Sequence, residues 1–408
     1  MSHRISDHLT RARECYDRRL GRYLANSSYL RKQADPDVID MAFGDPHGYP
    51  AEGLVALLQD RLVPKSEDWF AYVRNHPPAQ ERIAKMLAAE LCMPFVPADI
   101  ALTNGAFAGL TVCLRSVCNP GDEVIYLNPS WFYYEPIISS LGVVARAVDV
   151  IPDIWGLDLS AIEAAITPAT AAIVINTPNN PTGVIYPAAQ LAELGALLTA
   201  AAERRGQPIY LICDEAYRRI VFDGRECPSP AQFYPFAFLV HTYTKTLLMP
   251  GERIGYIALP PTMPDRPAMR EAVAVAQLMT GWAFPNNSLA FALDELDQFA
   301  VPLGPIQRRR DLLAAGMRAA GYTASPSQGT FYMLAKTPTP DDWIHTKLLE
   351  EHGVLAMPGS VLGAPGFIRL SLTISDVTLA EALRRIAAAY AVPDGAGGPQ
   401  AGNVECAR

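Results

Sequence analysis

His241-Thr242-Tyr243-Thr244-Lys245-Thr246-Leu247-Leu248-Met249-Pro250-Gly251-Glu252-Arg253-Ile254-Gly255-Tyr256 is the stretch from which the rest of the chain is read. The apolar run Phe236 to Val240 leads into it, and a second, Ile254 to Leu259, leaves it. Short apolar runs of this kind, bounded by turn residues, read as buried strands. Between them one lysine stands in a hydroxyl-rich loop that closes on Pro-Gly-Glu-Arg. The chain has six lysines, at 32, 65, 85, 245, 336 and 347, and Lys245 is the one placed between two core strands. An isolated loop lysine is ordinarily a solvated one. A desolvated lysine is costly unless its amine has chemistry to perform, such as Schiff-base formation with a carbonyl.

Moving outward, strand and helix patterns alternate for about 160 residues on the amino-terminal side. Ile100 to Leu102, Glu123 to Leu127, Val143 to Val150, Ala171 to Ile175 and Ile209 to Cys213 read as strands. Helical stretches fall between them, among them Ile162 to Ile166 and Leu191 to Arg205. Such alternation implies a mainly parallel sheet covered on both faces. From about residue 290 the pattern changes to a long helix, a few strands (Gly329 to Leu334, Phe367 to Leu372) and a last helix, Leu379 to Tyr390, which suits a smaller α+β domain. The expected division is an N-terminal arm and part of the small domain over 1–65, a large domain over 66–295, a C-terminal small domain over 296–393, and a disordered tail over 394–408. The polar helical segment 1–34 reads as a surface or subunit-wrapping arm.

With 408 residues, half of them hydrophobic and 19% charged, the chain has ample material for a sizeable core. A formal net charge of −8 argues against a nucleic-acid or anionic-membrane partner. Seven scattered cysteines, with no CxxC pair and no His/Cys cluster at metal spacing, read as reduced thiols of a cytoplasmic protein without a metal site. Residues 1–20 lack the apolar segment of a signal peptide, and no apolar run reaches membrane-spanning length.

Five chemical candidates share a position: Asn104/Gly105, Asn128/Trp131, Asn176/Asn180, Asp214 and Thr242/Lys245 each lie just past the carboxyl end of a predicted strand, where ligands bind in open α/β sheets. Asn104-Gly105-Ala106-Phe107 opens a helix, and its unpaired amides suit a phosphate, although a plain helix start has the same look. Asn176-Thr177-Pro178-Asn179-Asn180-Pro181-Thr182-Gly183 is a turn stiff enough to hold an amide against a ligand oxygen. Asp214-Glu215-Ala216-Tyr217 puts a carboxylate at the mouth of a buried strand, as a helix cap or as the partner of a buried cation. Arg369 interrupts the apolar strand Phe367 to Leu372. On an edge strand it would snorkel to solvent; buried, it would present its planar fork to a carboxylate.

Together these segments resemble the pyridoxal-phosphate-dependent class I/II aminotransferases of the aspartate aminotransferase superfamily, fold type I. The likeness rests on Asn179-Asn180-Pro181-Thr182-Gly183, Asp214-Glu215-Ala216-Tyr217, Thr244-Lys245 with Pro250 to Tyr256, and Phe367-Ile368-Arg369-Leu370-Ser371, in order and spacing from about residue 40 to 390. It implies an α/β fold whose large domain holds a mainly parallel seven-stranded sheet between helices, beside a smaller α+β domain. It implies pyridoxal 5'-phosphate as cofactor, an α-amino acid and a 2-oxo acid as substrates, and a homodimer with composite sites.

Carried over by position, the resemblance makes Lys245 the Schiff-base lysine and proton shuttle. Asp214 becomes the partner of the pyridine nitrogen, with Asn180 and Tyr217 on the ring's 3' oxygen and Trp131 against its face. Gly105, Ala106, Phe107, Thr242 and Arg253 hold the phosphate. Arg369 clamps the substrate carboxylate, Gly44 belongs to the loop closing over it, and Tyr72 reaches the phosphate across a dimer interface. This chain departs from the pattern in three places. The stretch after Tyr72 lacks the usual glycine, threonines stand at 242 and 244 where serine is common, and Phe107 replaces a hydroxyl residue. His47, Tyr49, Trp282 and Asn286 fall near the expected substrate side chain, as contacts or as packing. Transamination is the expected reaction. Elimination, replacement or cyclisation on the same fold, with S-adenosylmethionine a possible substrate of the last, needs the same residues. A cofactor-binding transcriptional regulator is the reading from another class, and 34 residues are too few for its DNA-binding domain.

Overall fold

Apolar residues dominate the runs that end at Asn176, Asp214 and Thr242, and these runs become the centre of a seven-stranded sheet. The structure is a computed structural model that describes residues 5–45, 52–282 and 285–390. The strands are β1 (Ile100–Thr103), β2 (Glu123–Asn128), β3 (Val144–Asp149), β4 (Thr170–Asn176), β5 (Tyr210–Asp214), β6 (Ala237–Thr242) and β7 (Gly255–Ala258). Their order is β1-β7-β6-β5-β4-β2-β3. Neighbours run parallel from β6 through β5, β4 and β2 to β3, whereas β7 is antiparallel to both β6 and β1. The Lys245 loop is therefore the connection of an antiparallel pair, with Thr242 opposite Gly255 at its base.

Successive side chains of a strand point to opposite faces, and both faces here are dry. Val174, Ile212, Phe238 and Val240 pack under the helices Gly105–Val117, Tyr134–Ser140 and Arg266–Met279. Ile173, Ile175, Leu211 and Cys213 pack under Leu159–Ala165 and Ala188–Arg205. Cys213 is a core thiol.

A second sheet runs Met357–Pro358, Phe367–Ser371, Tyr332–Lys336, Thr323–Ala324, with each neighbouring pair antiparallel. Leu313, Met317, Leu379 and Ile386 of the helices Leu303–Ala319 and Asp376–Ala389 cover it. Ile39–Asp40 pairs in parallel with Val354–Leu355, and on this tie we propose that the segment around Ile39 belongs to the smaller domain, whereas Leu54 and Leu57 pack with Ile83, Leu102 and Leu239 beside the first sheet.

The elements differ from expectation in three places. The strand expected from Gly329 starts at Tyr332, because the amides of Gly329 and Thr330 bond instead to the carbonyls of Gly183 and Ile220. The long helix expected from about 290 starts at Leu303, after the shorter turns Asn287–Ala292 and Leu296–Phe299 and behind Pro302. The N-terminal arm is not purely superficial. Leu20, Tyr23 and Tyr29 are buried in a cluster with Phe132, Leu355 and Met357. His47, Tyr49 and the tail 394–408 lie outside the described residues.

Candidate active site

Parallel pairing brings the carboxyl ends of β4, β5 and β6 to one edge, with Asn176 opposite Asp214. Asp214 is buried there. Its Oδ2 accepts from the Tyr134 hydroxyl at 2.6 Å, its Oδ1 from the Ala216 amide at 3.2 Å, and its backbone carbonyl from Asn176 Nδ2 at 2.8 Å. Burial raises the carboxyl above the usual aspartate range, while the Tyr134 hydroxyl, the Ala216 amide and the charge of Lys245 oppose that rise. Asp214 thus both ties down a turn and holds a desolvated carboxylate toward a cation.

Lys245 lies on the single helical turn Tyr243–Thr246, which starts as β6 ends and is capped by the Thr242 hydroxyl accepting from the Thr244 amide. The half-buried Nζ is 5.7 Å from the centroid of the Phe331 ring, and among the described residues it makes no ion pair. A primary amine held against apolar surface and facing a cavity is what carbonyl chemistry needs.

At one end of the cavity the helix Gly105–Val117 begins without a side-chain cap on its first turn. Its leading amides have no partner within the helix. Gly105 is in the left-handed region (φ +78°), and a Cβ there would lie 2.7 Å from Arg253 Nη2, so only glycine lets the guanidinium close on the helix start. Arg253 Nη1 donates to the Pro250 carbonyl at 2.7 Å, and the Thr242 and Thr244 hydroxyls stand 2.9 Å apart beside it. Amides, hydroxyls and a guanidinium converge as for a phosphate. Phe107 brings a ring in place of a hydroxyl, 5.1 Å from Trp131 and 5.3 Å from Tyr133.

At the other end Arg369 is in the interior of the second sheet, opposite Met357 on one side and Leu334 on the other, and it is 1% exposed. The edge-strand, solvent-seeking alternative is therefore ruled out. Nη1 donates to Asn180 Oδ1 at 3.0 Å, Nη2 donates to the Ala42 carbonyl at 2.7 Å, and the guanidinium carbon is 4.1 Å from the Tyr332 centroid. Its Nε has no hydrogen-bond partner. Among the described residues no carboxylate pairs with it, so a buried cation presents an open edge to an anion. Gly44 is packed so tightly on Phe331 and Tyr332 that any Cβ would collide with both rings.

One cavity of about 320 Å³ joins these groups. Of the residues singled out from the sequence, Lys245, Asp214, Tyr217, Ala106, Phe107, Trp131, Asn180, Thr242, Arg253, Arg369 and Gly44 line it, and Gly105 lies at its border against Arg253. The Tyr217 hydroxyl is pushed well above its ordinary range, first by burial and then by Tyr332, with Arg369 acting the other way. Tyr72 is 90% exposed and lies outside this chain's cavity. The Trp282 carbonyl accepts from Asn104 Nδ2 at 3.5 Å, and Asn286 caps the helix Asn287–Ala292; neither lines the cavity. Sequence reasoning missed Tyr134, which holds Asp214, as well as Tyr332 and the lining residues Leu20 and Phe43. Among the described residues no group of three or more His, Cys, Asp or Glu could hold a metal ion, and no helix is long and apolar enough to cross a membrane.

Strand order, second sheet and cavity together define a fold type I α/β enzyme. The chain belongs to the family described as aminotransferase class I and II, whose pattern matches residues 36–386. It is 31% identical over 373 residues to an aspartate/prephenate aminotransferase of Thermus thermophilus, covering 89% of this chain and 93% of that one. Its identity to an aspartate aminotransferase of Thermotoga maritima is 28% over 368 residues, 89% and 93% of the two chains. The solved aspartate aminotransferase of Rhizobium meliloti superposes with a TM-score of 0.81 at 25% identity, covering 95% of this chain and 99% of that one.

Proposed function

We propose that the chain is a pyridoxal 5'-phosphate-dependent aminotransferase that converts an α-amino acid to its 2-oxo acid. The observation that carries this reading is the meeting of Lys245, Asp214 and Arg369 in one cavity. The residues suit the cofactor by their own chemistry. Gly105 leaves room for a cradle that a Cβ would fill, and Asp214 is a buried carboxylate in want of a cation. When bound, the pyridine ring supplies an electron sink for the carbanion at the substrate's Cα.

The chain's own groups then divide the work. The first-turn amides at Gly105 to Phe107, with Thr242, Thr244 and Arg253, hold the phosphate. Asp214, steadied by Tyr134, keeps a proton on the pyridine nitrogen. Asn180 and Tyr217 donate to the 3' oxygen, and Trp131 covers a ring face. Arg369 fixes the substrate α-carboxylate through its free edge, and Lys245 Nζ, in the same cavity, serves Cα as base and acid. Gly44 belongs to the loop over that carboxylate. Tyr72, exposed on this chain, supports a homodimer in which each subunit completes the other's phosphate site. Six free cysteines among the described residues suit a reducing, cytoplasmic compartment.

A single-turnover experiment tests the reading. Holoenzyme given an amino donor alone should pass to the pyridoxamine form with release of one 2-oxo acid, and Lys245→Ala should carry no borohydride-reducible adduct. Release of ammonia with an unchanged cofactor spectrum would indicate elimination instead, and a full-occupancy adduct in Lys245→Ala would remove the lysine from its role.

A further inference from the structure

The two walls of the cavity differ in chemistry. One carries Asn180, Asp214, Tyr217, Thr242, Lys245, Arg253 and Arg369, all with the tasks given above. The other is formed by Leu20, Phe43, Phe107, Trp131, Phe132 and Tyr133, of which Phe107 and Trp131 also border the cofactor site proposed above, leaving Leu20, Phe43, Phe132 and Tyr133 to the substrate side chain. Their rings make an unbroken chain: Phe43 to Phe132 at 6.4 Å, Phe132 to Tyr133 at 4.9 Å, Tyr133 to Trp131 at 5.2 Å and Trp131 to Phe107 at 5.1 Å. This ribbon runs from the residue after Ala42, whose carbonyl anchors Arg369, to the residue after Ala106 in the phosphate cradle. It therefore spans the length of the site beside any ligand whose carboxylate is held at Arg369.

We infer that the side chain of the preferred substrate is bulky and apolar, aromatic above all, rather than a second carboxylate; this rests on the aminotransferase reading. Every cation among the described lining residues is already engaged, Arg369 by the α-carboxylate, Arg253 by the phosphate and Lys245 by the reacting carbon. Arg19, next to the lining Leu20, is turned onto Ser130, Tyr126 and Glu135. Asp45, the carboxylate among the described lining residues other than Asp214, has the wrong sign for a dicarboxylate. Among the described residues of this chain a distal carboxylate on this wall would meet no unengaged cation, whereas an aromatic ring would gain edge and face contacts.

Two measurements on the wild-type holoenzyme test this. The first is binding of unreactive analogues, read by perturbation of the cofactor absorbance. The second is the half-reaction with amino donors. 3-Phenylpropionate should bind at least tenfold more tightly than succinate, and L-phenylalanine should react at least tenfold faster per unit concentration than L-aspartate. Succinate binding as tightly or more tightly, or aspartate reacting as fast or faster, overturns the inference. If no donor reacts but 3-phenylpropionate still outbinds succinate, the transaminase reading fails and the apolar pocket stands. Phe132→Ala should cut the analogue preference about tenfold in protein that still loads cofactor; an unchanged preference overturns the assignment of this wall. If that variant does not fold, the wild-type comparison decides alone.

Discussion

Arg369 Nη1 donates to Asn180 Oδ1 over 3.0 Å, so one hydrogen bond inside the cavity joins the second sheet to the loop that follows β4 of the first. Nη2, donating to Ala42, ties in the segment from the N-terminal side. Three stretches of chain more than 130 residues apart in sequence thus meet on one guanidinium. The site is complete only when both sheets are docked.

Removing that guanidinium should weaken substrate far more than cofactor. Losing one partner of a buried, charge-assisted pair costs about 2–5 kcal/mol, roughly 30-fold or more in affinity. Arg369→Ala should therefore raise the Kd of an unreactive carboxylate analogue by at least that factor while the cofactor Kd changes little. Arg369→Lys should fall between, since an ammonium keeps the charge and loses the planar fork. Equal weakening of substrate and cofactor would mean that the arginine holds the two sheets together and does not bind the carboxylate.

Asp214 and Tyr134 give a second test, 80 residues apart and 2.6 Å from oxygen to oxygen. Asp214→Asn removes the charge proposed to keep the ring nitrogen protonated and should slow the half-reaction by about 100-fold or more, the scale of lost electrostatic stabilisation at a reacting centre. Tyr134→Phe leaves the carboxylate in place with one donor fewer. Its expected cost is about 1–3 kcal/mol in cofactor binding, roughly 5- to 150-fold in Kd, with Asp214 titrating higher than in the unaltered chain. Stopped-flow absorbance of the half-reaction measures the first, and titration of cofactor into apoenzyme the second.

The parts of this site legible in the sequence are those carried by local pattern. Lys245, Asp214 and Asn180 each follow an apolar run, and a buried strand ending at a polar residue marks a sheet edge. Tyr134 was not legible because nothing local links a tyrosine at the start of a short helix to a carboxylate 80 residues on. Arg369 was half legible. Its apolar neighbours were plain, but whether its strand lay at an edge depended on Met357–Pro358 pairing beside it, and two residues are too few to read as a strand. The buried face of the N-terminal arm was missed because its polar residues outnumber Leu20, Tyr23 and Tyr29, whose partners come from distant segments.

Gly44 carries a test of closure. A Cβ there would collide with Phe331 and with the Tyr332 hydroxyl, both part of the site's packing. Gly44→Ala should displace the adjoining Ala42 carbonyl from Arg369 or push Tyr332 off the guanidinium face. The expected result is about tenfold weaker substrate binding, the loss of roughly one ordinary hydrogen bond, with stability lowered by about 1–3 kcal/mol from overpacking and cofactor loading little changed. Unchanged substrate binding would show that the loop absorbs the methyl group without disturbing Arg369.

Beneath the Lys245 loop two buried groups should make opposite contributions to the pH dependence of stability. Glu215, buried against Arg218 and Ser229, is pushed up from 4.5 to about 7 by burial, with Arg218 opposing. His241, whose Nδ1 donates to the Glu215 carbonyl at 2.9 Å, is held down from 6.5 to about 3, by burial first and then by Arg219. The folded chain keeps the Glu215 proton up to about 7, so this contribution is full below about 4.5 and is lost as pH rises through about 7. The folded chain refuses the His241 proton, so that contribution is full above about 6.5 and is lost as pH falls toward 3. Each slope is about 1.4 kcal/mol per pH unit, and between pH 4.5 and 6.5 they cancel. Relative to the unaltered chain, apo Glu215→Gln should therefore gain stability with rising pH across that window. His241→Phe should lose it. Denaturant melts at half-unit steps of pH measure both differences, and parallel curves for either variant would show that its group titrates alike in the folded and unfolded chain.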